Sequence, residues 1–160
     1  QPTGYDRGHQ LPSADRNLNT TQNKTTFYFT NMTGQASPLN QGIWANLETK
    51  VRTWTAQCDT MYVVTGAMPT TITDNILDFA QDNDRKDIAK PKYYFKALAM
   101  KKGSEYFTIA YKIDNVTPPS GSTFDNYRLT VSDLEKATGF TFFPDLDNTK
   151  KGSINTTIWK

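Results

Sequence analysis

Residues 25–56 read TTFYFTNMTGQASPLNQGIWANLETKVRTWTA, and the change of period inside that stretch decides the fold. Its first seven residues, Thr25 to Asn31, are mostly β-branched or aromatic, which is the composition of a strand. Gly34, Ser37 and Pro38 then mark a loop. From Gln41 to about Ala56 the apolar residues Ile43, Trp44, Leu47, Val51 and Trp54 recur every three or four positions, as one buried face of a helix does. Asn40 stands where the N-cap of that helix is expected.

Working outward, the Asn/Thr-rich run at residues 17–26 reads as a loop. On the other side, Met61-Tyr62-Val63-Val64-Thr65 is a second strand ending at Gly66, and a polar loop with a short helix near Ile76-Leu77-Asp78-Phe79 is expected up to about Lys90. Lys92 to Met100 and Glu105 to Ile113 are strand-like runs joined by Lys101-Lys102-Gly103-Ser104, the short glycine-containing connection of a β-hairpin. Ser132-Asp133-Leu134-Glu135 has capping-box spacing and Gly139 follows as a stop, which predicts one more short helix. The fold class expected is α+β, with a mainly antiparallel sheet flanked by helices.

Length and composition bound the rest. At 160 residues and 18.1 kDa the chain is expected to form a single domain over 1–160, and 36% apolar with 21% charged residues excludes wholesale disorder. No apolar run approaches the roughly 20 residues of a membrane-spanning helix. Cys58 is the only cysteine, so neither an intrachain disulfide nor a cysteine-based zinc site forms. The abundance of Asn and Thr leans towards an exported protein, secreted or periplasmic in the bacterial manner, whose signal peptide has been removed.

The net charge of +2 announces no polyanion partner by bulk attraction. The distribution is more informative: Arg85, Lys86, Lys90, Lys92, Lys96, Lys101 and Lys102 face only Asp87 over one stretch. That stripe reads either as a solvated strand face or as a track for phosphates.

Asp6-Arg7-Gly8-His9 places a carboxylate, a cation and a base within four residues, and His9 is the only histidine. Downstream, Asn31, then Asn40, then Glu48 carry polar groups through a strand, a loop and a helix, an arrangement suited to a divalent-metal site. Glu48 lies two turns beyond Asn40, a rise of roughly 12 Å, so a contact through water suits it better than shared direct ligation. Taken one at a time, Asn40 also reads as an N-cap, Glu48 as a surface helix residue and Arg7 as an ion-pair partner of Asp6.

In order and spacing, several motifs together resemble the DNA/RNA non-specific endonucleases of the ββα-metal (His-Me finger) superfamily. They are Asp6-Arg7-Gly8-His9, Asn31-Met32-Thr33-Gly34-Gln35, Leu39-Asn40-Gln41-Gly42-Ile43-Trp44 with Leu47-Glu48, Val63-Val64-Thr65-Gly66, Pro91-Lys92-Tyr93-Tyr94-Phe95-Lys96, and Leu134 to Phe140 with Phe142-Phe143-Pro144. The resemblance covers about residues 5 to 146. It implies a sugar-nonspecific endonuclease in which His9 is the general base that deprotonates a water, and Asn40 is the one direct protein ligand of a hydrated Mg²⁺, or of Mn²⁺ in its place. Glu48 would hold a metal-bound water that serves as general acid. Arg7 would stabilise the phosphate, Asn31 would support the loop that positions His9 and Asn40, and Asp6 would orient the site. Lys92, Lys96, Lys101 and Lys102 become candidates for contacts to the backbone of DNA and RNA substrates.

Family domains carry strands and a further arginine ahead of the first motif, where only Gln1-Pro2-Thr3-Gly4-Tyr5 stand here. The chain is therefore expected to be N-terminally truncated, and to recover its sheet by forming a homodimer or by retaining a cleaved segment. The alternative function is a non-catalytic nucleic-acid-binding module that keeps the nuclease fold. A structural surface protein ranks last, because it leaves the His9, Asn40 and Glu48 spacing unexplained.

Overall fold

The computed structural model describes residues 3–81 and 84–160. Strand β1 (Tyr5–His9) pairs antiparallel with β2 (Met32–Ala36), with Tyr5 opposite Ala36 and His9 opposite Met32. Helix α1 (Thr20–Thr25) lies in the segment between them. A short helix α2 (Ser37–Leu39) follows β2, continues through a π-turn at Asn40–Trp44, and becomes α3 (Ala45–Thr55).

The main sheet is antiparallel and has the order β3 (Thr60–Met68), β6 (Tyr93–Lys102), β7 (Glu105–Asp114), β8 (Arg128–Leu129). Between β3 and β6, β4 (Asp78–Gln81) and β5 (Asp87–Lys90) form a separate hairpin. Helices α4 (Val131–Thr138) and α5 (Asn148–Lys151) complete the chain.

Strand β6 is buried from Tyr93 to Met100 because further elements cover both faces of the sheet. Side chains alternate across a strand. Tyr94, Leu98 and Met100 therefore meet Trp44, Leu47, Val51 and Trp54 of the α3 layer, while Tyr93, Phe95 and Ala97 meet Val131, Leu134 and Phe142. Lys96 belongs to the first set by parity, so a lysine occupies a core position facing α3. Asn115 ties the layers together: its Oδ1 accepts from Ala36 N at 2.8 Å, and its Nδ2 donates to Gly34 O and Pro91 O, both at 2.9 Å.

Several local expectations need correcting. Thr25 to Asn31 is not a strand: the turn bonds Phe27 N to Lys24 O, Tyr28 N to Thr25 O and Asn31 N to Tyr28 O coil it, and the strand is the next segment, Met32–Ala36. The Asn/Thr-rich run contains α1, capped where Asn19 Oδ1 accepts from Gln22 N at 2.9 Å. Asn40 is no N-cap, since the helix begins at Ser37 with Pro38 in its first turn and Asn40 has helical φ/ψ. The expected helix near Ile76–Phe79 is replaced by β4. In α4 the cap is Thr130, whose Oγ1 accepts from Asp133 N, so Ser132 is already inside the helix. Gly139 ends that helix in the left-handed region at φ 75°, where a glycine carries no side-chain penalty. The β6–β7 hairpin is as expected.

Candidate active site

The hairpin of β1 and β2 and the helix that follows it hold the polar residues of the first motifs. Alternation along β1 sends Asp6 and Gly8 to one face and Arg7 and His9 to the other. Asp6 faces the start of the helix. Its Oδ1 accepts from Ser37 Oγ at 2.8 Å, and its Oδ2 accepts from Asn40 Nδ2 at 2.9 Å and Gln41 Nε2 at 2.8 Å. Burial raises the Asp6 pKa, but these three donors outweigh it and hold the carboxyl below the usual range. Asp6 is thus an ionised clamp on the Asn40 amide, which leaves the Asn40 Oδ1 as that amide's remaining electron-pair donor. The pairing of Asp6 with Arg7 does not occur: the two side chains leave the strand on opposite faces.

His9 ends β1. Its ring packs edge-on against Phe27, with centroids 5.0 Å apart, and its Nε2 is buried without a hydrogen-bond partner among the described residues. Burial lowers the His9 pKa, and a hydrogen bond to the Arg7 backbone opposes this without cancelling it. The imidazole is therefore neutral at neutral pH. With the Arg7 backbone taking the other ring proton, Nε2 is the nitrogen that carries the lone pair. Gly8 is required beside it, because a Cβ there would collide with the buried Gln35 side chain.

Asn31 holds the segment that leaves His9. It sits in a 3₁₀ turn just before β2, where its Oδ1 accepts from Leu11 N at 2.9 Å and its Nδ2 donates to Leu11 O at 2.9 Å and Thr26 O at 2.8 Å. A second link runs from Gln10 Nε2 to Thr33 Oγ1 at 2.9 Å, and from there to the Tyr94 hydroxyl at 2.6 Å, fastening the hairpin to β6.

The helix runs back along the hairpin. Asp6 meets Asn40 at one end, and at the other Arg52 Nη1 meets Asp15 Oδ1 at 3.1 Å, in the turn that follows β1. Asn40 lies ahead of a kink at Gly42, whose φ/ψ are not helical, and beyond it Trp44, Glu48 and Arg52, spaced by four, form one stripe at the start and along the length of α3. Glu48 is half-buried in it, and burial raises its pKa. Lys96 and Arg52 pull that pKa down, Asp15 pushes it up, and the Trp44 indole N–H lies near enough to lower it without making a full hydrogen bond.

Lys96 explains part of this field. It is 1% exposed, donates to Thr65 Oγ1 directly across the β3–β6 ladder at 2.8 Å, and lies 4.7 Å from the Trp44 ring centroid. Burial, opposed by the attraction of Glu48, lowers its pKa to about 8. Lys96 is therefore not placed to contact a substrate backbone: it is buried between β6 and the α3 layer, with its charge directed to Glu48. Lys92 is tied to Asp74 at 2.9 Å. Lys101 and Lys102 stand five and six residues beyond Lys96 along β6, roughly 17–20 Å of strand away, by the β6–β7 turn. The basic stripe is accordingly dispersed rather than gathered at His9.

Ser37, Gln41, Trp44, Arg52 and the Asp15 that anchors it surround the site without having been assigned a role from the sequence. The four-residue spacing on either side of Glu48 was the signal for Trp44 and Arg52. Cys58 is half-buried with its thiol pKa pushed up by burial, unlike an activated nucleophile. No group of three or more His, Cys, Asp or Glu able to hold a metal occurs among the described residues.

The model of the DNA/RNA non-specific endonuclease family matches residues 1–149. The chain belongs to that family. Among its relatives, nuclease C1 of Cunninghamella echinulata var. echinulata is 30% identical over 156 residues, covering 95% of this chain and 62% of the fungal one. Human mitochondrial endonuclease G is 28% identical over 149 residues, covering 90% of this chain and 50% of its own length. A crystal structure of an EndoG/EndoGI complex superposes with a TM-score of 0.76 over 92% of this chain and 62% of that one, at 22% identity, which shows the shared ββα-metal fold. The chain thus spans between half and two thirds of these relatives.

Proposed function

We propose that this chain is a divalent-metal-dependent endonuclease that hydrolyses phosphodiester bonds of both DNA and RNA. The observation that carries the reading is His9: a neutral imidazole whose Nε2 is left without a partner among the described residues, on the same strand face as Arg7 and on the same strand as the Asp6 that clamps the Asn40 amide.

The residues fit a hydrated Mg²⁺, or Mn²⁺, better than a transition metal. One amide oxygen at Asn40 and one half-buried carboxylate two turns on, with no cluster of His, Cys or acidic side chains among the described residues, suit a hard cation that keeps most of its waters. When bound, such a cation would supply charge stabilisation for the pentacovalent phosphorus and the leaving oxygen. His9 Nε2 takes a proton from a water, and that water's oxygen forms a bond to phosphorus in line with the bond to the 3′-oxygen, which breaks. A water held by Glu48 gives a proton to the 3′-oxygen, leaving a 3′-hydroxyl and a 5′-phosphate. Arg7, exposed on the face of His9, holds the phosphate oxygens. None of these groups need touch the 2′-position or a base edge, which accounts for acceptance of both sugars.

Export belongs to the same proposal and rests on composition, since relatives named as mitochondrial occur in the family. The domain is read as one unit over 1–160. Strand β3 stands at the edge of its sheet with Tyr62, Val63 and Val64 exposed, which supports pairing with a further strand from a second copy or a retained segment. Plasmid DNA and total RNA should both be degraded with Mg²⁺ or Mn²⁺ and spared with EDTA, and a folded His9→Ala variant should be inactive. A folded wild-type chain that binds nucleic acid and cleaves none under any metal would instead be a binding module.

A further inference from the structure

The segment between β1 and β2 ends in three consecutive aromatic side chains that the fold leaves in water: Phe27 is 53% exposed, Tyr28 61% and Phe29 82%. Their backbone is firmly held. The turn bonds from Phe27 N, Tyr28 N and Asn31 N fix it from within, and Asn31 Nδ2 fastens it to Thr26 O and Leu11 O. These rings are therefore presented on a rigid frame, as a contiguous apolar patch that a merely structural turn does not need.

Their position follows from two contacts. The Phe27 ring stands edge-on to His9, and the Arg7 guanidinium lies over the Phe29 ring, 5.9 Å from its centroid. His9 and Arg7 share one face of β1, so the aromatic arc borders that same face and is continuous with it. Tyr28 stands between Phe27 and Phe29 in the chain and is 61% exposed, so a strand whose phosphate is held by Arg7 and presented to His9 carries its neighbouring bases to the Tyr28–Phe29 side of the arc. Every base has a π-face, so a ring recognises it whatever its identity, and an adjacent arginine adds a cation to the stack. Bases in a duplex are already stacked on one another and are not free to do this.

We infer that Tyr28 and Phe29 form a base-stacking platform beside the phosphate-gripping residues, selective for single-stranded or unstacked segments of DNA and RNA. The inference rests on the nuclease reading for its orientation. Phe27, which packs on His9, is left to support the histidine.

The test compares kcat/KM on an oligo-dA strand with kcat/KM on a strand of the same length built from abasic residues, for wild type, Tyr28→Leu, Phe29→Leu and Phe29→Trp. Both leucine variants keep an apolar side chain at an exposed position. They should lower the oligo-dA to abasic ratio about tenfold, with the tryptophan variant keeping it. A ratio unchanged in both leucine variants overturns the platform. Sedimentation of the same proteins then shows whether the patch covers a second copy. In parallel, binding of a 2-aminopurine oligonucleotide in EDTA reads stacking without turnover. Quenching by wild type that is lost in the leucine variants upholds the platform even if the wild-type chain proves inactive and the nuclease reading falls. An absence of quenching overturns the platform whether or not the chain cleaves.

Discussion

Replacing the buried Lys96 with Met should make the protein more stable and less active. The ammonium sits at a core position of β6, and its pKa is lowered from 10.5 to about 8, with burial as the main cause and the attraction of Glu48 opposing it. At about 1.4 kcal/mol per unit, keeping Lys96 charged inside the fold costs about 3 kcal/mol at pH 7. Met fills the same unbranched volume against Trp44 and removes that term. It also forfeits the hydrogen bond to Thr65, worth about 1 kcal/mol, and a desolvated cation–π contact of about 1 kcal/mol. The balance is a gain of about 1–2 kcal/mol, or about 3–6 °C in Tm for a domain of this size.

The sign depends on pH. Between about pH 8 and 10.5 the unfolded wild-type chain binds more protons at this site than the folded one, so wild-type stability rises through that window relative to the variant. Above it the lysine is neutral in both states, and Lys96→Met loses its advantage. Urea denaturation of both proteins at pH 7 and pH 10.5 measures the two limits. Activity moves the other way, because Glu48 loses the cation that opposes its raised pKa; plasmid cleavage should fall about tenfold, as expected for a group that tunes an acid–base residue. A variant destabilised by about 3 kcal/mol at both pH values would refute the reasoning, since the attraction between Lys96 and Glu48 would then exceed the cost of burying the charge.

The lowered pKa of His9 predicts that its neutral form, and with it kcat/KM, persists from neutral pH down to below 6.5 before an acid limb begins; a limb centred above pH 7 in the rate profile contradicts the assignment. The same shift makes His9 protonation favour unfolding, so stability falls as pH drops from above 6.5 towards the folded pKa. Asp6→Ala releases Ser37, Asn40 and Gln41 together and should weaken Mg²⁺ activation about 10–100-fold in a titration of rate against metal, while circular dichroism remains that of the folded chain. Gly8→Ala drives a methyl group into buried Gln35 and should destabilise by about 1–3 kcal/mol in urea denaturation.

Period and punctuation made much of the fold legible. The helix through Leu47, Val51 and Trp54, the β6–β7 hairpin and the Gly139 stop follow from local rules that tertiary structure leaves intact. Thr25 to Asn31 was misread for a physical reason: β-branched and aromatic residues favour strands through burial against a sheet, and Phe27, Tyr28 and Phe29 are each more than half exposed. Asn40 was misread as a cap because its side chain serves Asp6, 34 residues away, which no local rule sees. Lys96 looked like surface charge because composition counts a lysine without its strand parity. Only the pairing of β6 between two layers makes position 96 a core position, alongside Tyr94 and Leu98.

The three ionisable groups around the site are driven apart by three different surroundings. Asp6 accepts three hydrogen bonds and stays charged, His9 has only burial and one backbone contact and stays neutral, and Glu48 is half-buried and holds its proton more tightly than a free glutamate. Under the proposed mechanism these separations give the site a fixed anion at Asp6, a base at His9 and a water-holding group at Glu48. Lys96 sets how far Glu48 can go: without a buried cation, desolvation would carry the carboxyl pKa higher still, and a closer one would lock it in an ion pair. The lysine reaches Glu48 through charge alone, with no ion pair to it within 4 Å among the described residues, its one hydrogen bond being spent on Thr65. That spacing is why Lys96→Arg, whose longer fork could bond the carboxylate directly, should lower activity as Lys96→Met does while failing to raise stability.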